Sequence, residues 1–491
     1  MPSQSLTLEQ IRRELPGIEW HNYRTLEIKD IQQDSRKVTA GSLFVALDGT
    51  KARGKDYLQD AVAKGAAAVV ADEYCELPSG QAIPFGIAQD PRDAIAALAA
   101  LFWGYPARKL CFVGITGTNG KTTTAFLVRS IFEAAGYRVA LLGTVGYFYG
   151  DHCFEAPNTT PDVLTLQQHF AHIVAEGISH VVMEVSSHSL TQKRVAQIPF
   201  QAAIFTNLGR DHLDYHETIE NYRDAKTLLF RGLTNQAQAI LNGDDPQSPY
   251  FRKVCPAHCH LFGLESGHEV TARDIRYEHL DSVFELITNA ATTRVKLQLP
   301  GFYNIYNALA ATTAASSLGI PLDIIRTGLE KLTGVPGRME KIEAGQPFGV
   351  IVDYAHTPNA MEAALTTLAK IKRHRLLVVF GCGGDRDQGK RPQMGAVAAR
   401  CADLTWVTSD NPRSEAPEKI AEQVVAGFTG QPYHLALDRE EAICQALGAA
   451  RDGDIVAIVG KGHETYQLIG KQVLPFDDRQ VARDCLKRLG F

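Results

Sequence analysis

The 491 residues contain no long apolar run. The most apolar stretch, Ala94 to Trp103, is far short of what crosses a bilayer. The amino-terminal MPSQSLTLEQIRREL lacks the apolar core of a secretory leader. Positive charge is not in excess: 50 Lys and Arg stand against 55 Asp and Glu, a net charge of −5. That balance argues against a general nucleic-acid binder, which needs a basic surface to neutralise phosphates. A small anionic ligand remains open, because a local pocket need not show in the net charge. There is no tandem repeat and no low-complexity tract. Cysteine is sparse and odd in number, nine residues without a framework. The expectation is reduced thiols in a cytoplasmic, membrane-free protein rather than disulfides. Cys255, His258, Cys259 and His260 cluster, but no second ligand pair lies downstream at finger spacing. Solvated thiols and imidazoles are therefore expected there rather than zinc.

What is present is ordinary globular material, 45% hydrophobic and 21% charged. At roughly 150 residues per domain, the length suggests about three domains. Residues 1–108 carry short strand-like runs, Ser42–Leu47 and Ala67–Ala71, and an Ala-rich helix at Asp93–Phe102. Tyr105-Pro106 marks a boundary, since proline ends a helix and biases its predecessor to extended backbone. Residues 109–335 alternate apolar strands with helical periods. The strands are Leu110–Thr116, His180–Val185, Ala202–Thr206 and Ala239–Asn242, the pattern of a parallel sheet wrapped by helices. Gly334, Pro336 and Gly337 mark a second boundary. Residues 336–491 alternate again through Val350–Tyr354, Leu376–Phe380, Leu404–Ser409 and Ile455–Val459. They predict a separate Rossmann-like, doubly wound domain.

The central segment holds the clearest chemical signal. The buried-strand pattern ending at Thr116 runs into Gly117-Thr118-Asn119-Gly120-Lys121-Thr122-Thr123, and a helical period follows from Thr124 to Ala135. Strand, glycine loop and helix start make a phosphate cradle: amide groups turn inward and the helix N-terminus adds partial positive charge. Lys121 can reach the β- and γ-phosphates, and the Thr122 hydroxyl suits Mg²⁺. Ile115 stands where the general motif has a glycine, so the loop is a variant. Glu184, at the end of a buried strand, offers the hard oxygen ligand that Mg²⁺ prefers. The polar run Asn207–His216 follows another strand, at the carboxyl end where ligands of open α/β sheets bind.

These stretches, with Glu220–Lys226, Gly301–Asn307 and Val352–Pro358, resemble the Mur ligase family. That family uses ATP to add amino acids to the cell-wall peptide precursor. Asp34-Ser35-Arg36 and Gly41–Leu47 are similar to its UDP-binding amino-terminal domain. Asp410-Asn411-Pro412-Arg413 and Gly460-Lys461-Gly462-His463-Glu464 are similar to members that take diaminopimelate. The resemblance spans essentially the whole chain. It implies an α/β protein of three domains: a small UDP-substrate-binding domain (1–108), a central P-loop ATPase-like domain with a parallel sheet (109–335) and an amino-acid-binding domain (336–491). The phosphate loop is shared with folylpolyglutamate synthetases, which offer no reason for residues 1–108. A nucleotide-dependent regulatory protein without ligase activity is the alternative from another class. The presence of Glu184, His212 and Lys226 disfavours it.

The resemblance also implies roles. Gly117, Thr118, Asn119, Gly120, Lys121, Thr122 and Thr123 would hold the ATP phosphates, with Asn304, Asn307, Arg338 and Asp353 on the rest of the nucleotide. Thr122, Glu184, His212 and Lys226 would hold Mg²⁺, Lys226 as a carbamate; Lys121, Glu184, His212 and Lys226 form the catalytic set. Ser35, Thr50, Lys51, Ala52, Asn158, Thr159, Thr160, Ser186, Gln192 and Arg194 would contact the UDP-N-acetylmuramoyl-dipeptide. Arg386, Asp410, Asn411, Pro412, Arg413, Gly460 and Glu464 would bind meso-diaminopimelate. The implied reaction is amide-bond formation through an acyl phosphate, releasing ADP and phosphate, by a monomer.

Overall fold

The computed structural model describes residues 5–49, 52–77 and 82–491. The chain forms two compact units. One comprises the residues up to Leu261 with Thr313–Gly319, the other Phe262–Thr312 with Ile320–Phe491.

Among the described residues the first unit carries two large sheets and a two-stranded one, Leu6–Thr7 with Glu27–Ile28. The amino-terminal sheet has five strands in the order Ile18–His21, Phe85–Ala88, Ala68–Ala71, Ser42–Val45, Asp30–Gln32. All its pairings are parallel except the first. The helix over it, Pro91–Phe102, begins two residues before the expected Asp93. Asp90 accepts from Arg92 N, and Pro91 supplies a first helical position that needs no donor. The central sheet places Val139–Leu142, His180–Glu184, Cys111–Thr116, Phe200–Phe205 and Gln238–Asn242 side by side, all parallel. An antiparallel hairpin, Tyr147–Tyr149 with His152–Phe154, extends its edge. The strand residues are near-continuously buried, as a sheet covered on both faces requires.

The second unit holds an antiparallel meander, Val270–Glu278, Asp281–Thr288 and Thr292–Leu297, which the sequence pattern did not reveal. Its six-stranded sheet runs Glu340–Lys341, Gly349–Asp353, Ile455–Val459, Leu376–Phe380, Leu404–Val407, Tyr433–Leu435, parallel throughout except for the first pair. Separate apolar clusters cover its two faces. The expectation of α/β architecture thus holds in both units. No helix of the described residues is long and apolar enough to cross a membrane.

One expectation fails. Cys444 and Cys485 are joined as a disulfide; the other seven cysteines are free. Helices Arg439–Ala449 and Asp478–Arg488 pack on one another and bring the two Cα atoms to 5.4 Å, a closeness that spacing of 41 residues cannot disclose. Among the described residues no His, Cys, Asp or Glu group of three or more is arranged for a metal ion, and the Cys255–His260 cluster forms none.

Candidate active site

The phosphate loop is shaped by its neighbours. Gly120 adopts φ +85° just before helix Lys121–Ala134, a conformation a side chain would strain. The helix starts at Lys121, earlier than its apolar period. Asn207 braces the loop from the next strand: its Oδ1 accepts from Asn119 N at 3.0 Å and its Nδ2 donates to Asn119 O at 3.1 Å. Thr206 Oγ1 donates to the same carbonyl at 2.6 Å. Lys121 Nζ folds over the loop, donating to Gly117 O and Thr118 O at 2.9 Å each. Thr122 and Thr123 are buried at the first turn.

Glu184 ends its strand opposite Ile115, one residue before the strand that delivers the loop ends. Its carboxylate is fully buried, and one residue holds both oxygens. Thr144 N donates to Oε1 at 2.8 Å, and Thr144 Oγ1 to Oε2 at 3.1 Å. Sequence reasoning passed over Thr144; its signal is Gly143-Thr144 at the carboxyl end of a parallel strand. Lys226, on helix Ile219–Arg231, is 1% exposed and reaches the same Gly117 carbonyl as Lys121, at 2.9 Å. No carboxylate pairs with it among the described residues; the Tyr222 ring lies 4.2 Å away. Burial, reinforced by the Lys121 charge, holds its pKa well below the ordinary lysine value; Asp211 opposes weakly. His212 has φ +53° and its ring lies 5.0 Å from that of His188. Burial, then Lys121 and Lys226, lower its pKa against the pull of Asp211.

The expected sugar-peptide set gathers beside Glu184. Thr159 Oγ1 meets Thr144 Oγ1 at 3.1 Å, and Asn158 O accepts from Tyr147 at 2.6 Å. Thr160 Oγ1 donates to Glu184 O and accepts from Ser186 N. Arg194 donates to Thr160 O at 2.8 Å and twice to Gln192 Oε1. Ser35 is buried in the amino-terminal sheet region and Ala52 is exposed. Thr50 and Lys51 lie outside the described residues.

In the second unit, Asn307 Nδ2 donates to Asn304 Oδ1 at 3.0 Å, and both are buried. Asp353 accepts from Met339 N and Ala355 N; burial raises its pKa while Arg338 opposes. The Arg338 guanidinium lies 4.8 Å from the Tyr354 ring, and its buried Nε has no hydrogen-bond partner among the described residues.

Two loops at the carboxyl ends of the second unit's strands are laced together. Gly384 N donates to Asn411 O, and Arg413 Nη1 to Gly384 O at 2.8 Å. A Cβ on Gly384 would collide with the Pro412 carbonyl oxygen. Arg413 takes φ +53° while its backbone pairs with Leu468 and Gly470. Arg391, fully buried, makes a two-pronged pair with Glu415, whose pKa that guanidinium holds down near 2. Beneath them Arg439 and Asp478, both 0% exposed, form a second fork. Arg439 also donates to Ser409 O and Val459 O, the residues just before Asp410 and Gly460. Asp410, Asn411, Pro412, Arg413, Gly460 and Glu464 are thereby brought together. Arg386 is exposed, and its guanidinium donates to Asp385 O at 3.5 Å. Arg391, Glu415, Arg439 and Asp478 were not anticipated, because buried arginines in helices look like surface arginines in sequence.

Comparison with known proteins matches the chain to three families in register: "Mur ligase family, catalytic domain" over residues 27–103, "Mur ligase middle domain" over 115–315, and "Mur ligase, glutamate ligase domain" over 337–462. A UDP-N-acetylmuramoyl-L-alanyl-D-glutamate–2,6-diaminopimelate ligase from Geobacillus kaustophilus (strain HTA426) is 45% identical over 484 residues. The match covers 97% of this chain and 98% of that one. The ligase of the same name from Geobacillus thermodenitrificans (strain NG80-2) is 44% identical, covering 98% and 99%. A solved structure bearing that name superposes with a TM-score of 0.73 at 32% identity, over 98% of this chain and 99% of the other.

Proposed function

From the premise that the chain belongs to the Mur ligase family, we propose that it joins meso-diaminopimelate to UDP-N-acetylmuramoyl-L-alanyl-D-glutamate with ATP, in peptidoglycan precursor synthesis. A carboxylate is a poor acyl donor, because oxide is a prohibitive leaving group near neutral pH. Transfer of the γ-phosphoryl group makes the oxygen part of an acyl phosphate and releases ADP. The amine then attacks the carbonyl carbon, a tetrahedral intermediate forms, and phosphate leaves with the C–O bonding pair. The first step crowds anions together, and Lys121 with the loop amides is the protein's own means of neutralising them.

Mg²⁺ fits the donor types present: the Thr122 hydroxyl and the buried, oriented Glu184 carboxylate are hard oxygens, and His212 is held toward its neutral form. When bound, the ion would supply charge neutralisation at the phosphates. Lys226 would join that set as a carbamate. Its neutral amine adds to the carbon of CO₂, an N–C bond forms, and one proton leaves. Support comes from an ammonium buried without a counter-charge, whose deprotonation burial promotes.

The observation that carries the choice of amino acid is the convergence of Asn411, Arg413 and Glu464 at the laced loops of the second unit. An arginine suits the distal carboxylate that distinguishes diaminopimelate from lysine, and Glu464 suits an ammonium. The domain limits 1–108, 109–335 and 336–491, a cytoplasmic location and a monomeric state belong to the same proposal. ADP release measured with the UDP-dipeptide and a series of amino acids tests it. Turnover with meso-diaminopimelate well above that with lysine is expected; a preference for lysine overturns it.

A further inference from the structure

The two carboxylate oxygens of Glu464 are used unequally. Oε2 accepts from Asn411 Nδ2 at 2.9 Å and from Lys461 Nζ at 3.1 Å. Oε1 has no hydrogen-bond partner among the described residues, although the side chain is only 20% exposed. Lys461 is itself fully buried. Its ammonium also donates to Asn411 Oδ1 at 3.2 Å, and that oxygen accepts a second bond from Leu468 N at 2.9 Å. Two donors facing Oδ1 determine which way the Asn411 amide points. Burying an ammonium is costly, and it is tolerated where charge and hydrogen bonds are matched. Here the matching partners are both residues of the proposed ligand site, one from Asp410–Arg413 and one from Gly460–Glu464.

We infer that Lys461 is a positioning residue for amino-acid choice: by occupying Glu464 Oε2 and orienting Asn411, it leaves Glu464 Oε1 to receive the distal ammonium of the substrate. The inference rests on the reading of this site as the diaminopimelate site. Lys461 touches no substrate. It keeps the acceptor carboxylate in one orientation before the ligand arrives, so less side-chain freedom is lost on binding. A substrate without the distal ammonium forgoes the charge partner that Oε1 is held ready for, which is a basis for preferring the substrate that supplies it. Arg413 and Glu464 then divide the distal end between them, carboxylate to one and ammonium to the other.

The probe pair is meso-diaminopimelate and 2-aminopimelate, which differ by the distal amine alone. Wild-type enzyme is assayed first: no turnover with meso-diaminopimelate overturns the reading of the site, and this inference with it, before any variant is made. With turnover present, Lys461→Met should raise KM for meso-diaminopimelate by about tenfold or more, the size of a charged hydrogen bond lost. KM for 2-aminopimelate, ATP and the UDP-dipeptide should change little, and kcat should fall less than KM rises. Equal rises in KM for both amino acids would mean general loosening and overturn the inference. Should Lys461→Met alone not fold, Glu464→Gln/Lys461→Met leaves neither charge buried without its partner and is compared with Glu464→Gln. Equal discrimination between the two amino acids in these variants supports action through Glu464; a further loss in the double variant overturns it.

Discussion

Among the described residues each compact unit buries one lysine almost completely, and the two are held in opposite ways. Lys226 of the first unit meets a backbone carbonyl and a tyrosine ring but no carboxylate, and lies close enough to Lys121 to feel its charge. Lys461 of the second unit is enclosed by Glu464 and Asn411. Nothing in the local sequence of either tells whether it will meet a carboxylate. The difference separates two uses of the same side chain. An ammonium stripped of water and counter-charge is pushed toward the neutral amine, a nucleophile. An ammonium given a carboxylate stays charged and becomes part of a scaffold. The same contrast extends to the sites around them. The phosphate loop turns the ammonium groups of Lys121 and Lys226 onto one carbonyl, Gly117 O, a place that suits anions. Two buried arginines of the second unit are matched in advance, Arg391 by Glu415 and Arg439 by Asp478.

The largest effect should come from breaking a matched pair. Asp478→Leu leaves the Arg439 guanidinium buried alone and should cost about 3–5 kcal/mol in thermal or denaturant unfolding. Arg439→Met/Asp478→Leu should recover most of that loss; a double variant as unstable as the single would refute the account of the pair.

Removing a cation of the phosphate-loop site should do the reverse, sparing stability and abolishing chemistry. Lys121→Ala should lower turnover by about 10²-fold or more, as deletion of a transition-state charge partner does. The unfolding midpoint should barely move. Lys226→Met should behave alike, with stability unchanged or raised. Added short carboxylates should restore part of the activity of Lys226→Ala if a carbamate is the working form. Near-normal ADP release by either folded variant contradicts the role of the loop site.

A smaller effect is expected at a side chain that, of the three substrates, is proposed to meet the amino acid alone. Arg413→Ala should raise KM for meso-diaminopimelate by the worth of a charged hydrogen bond, roughly 1.5–3 kcal/mol. ATP and UDP-dipeptide kinetics should stay nearly as they were. Lysine should not become a good substrate, since specificity also needs contacts to what lysine offers.

The smallest effect is on pH dependence. Burial lowers the pKa of His169 to about 4, and its ring shares a hydrogen bond with Tyr149 at 2.8 Å. The unfolded chain takes up this proton near pH 6.5 and the folded one only near 4. Its contribution is therefore complete above pH 6.5 and is lost as pH falls toward 4. Discounted for partial solvent exposure, it amounts to about 1 kcal/mol. His169→Gln should flatten the acid side of the stability profile between those values; an unchanged slope would show that His169 does not resist protonation.

Chemistry that is local along the chain was legible without the structure. A strand, a glycine loop and a helix start occupy consecutive positions, so Gly117–Thr123 declares itself. The parallel strands are buried on both faces and read as unbroken apolar runs, so their places in the order were close to right. The meander Val270–Leu297 was missed because its strands are solvated on one side and its hydrophobic residues are few and irregular. Helix ends governed by caps, such as Asp90-Pro91, were misplaced by two residues because a cap lies outside the apolar period.

What the sequence by itself determined about this protein is the order of its buried parallel strands, the phosphate loop and the residue types that answer a carboxylate or an ammonium. All of these are properties of neighbours in the chain. Tertiary structure alone decided that Thr144 grips Glu184 from 40 residues away, that Cys444 meets Cys485, and that Arg439 ties Ser409 to Val459. It also decided the fates of the two buried lysines. Whether an ammonium finds a carboxylate depends on which distant segments fold around it, and burial without a partner is a property of that enclosure rather than of the residue.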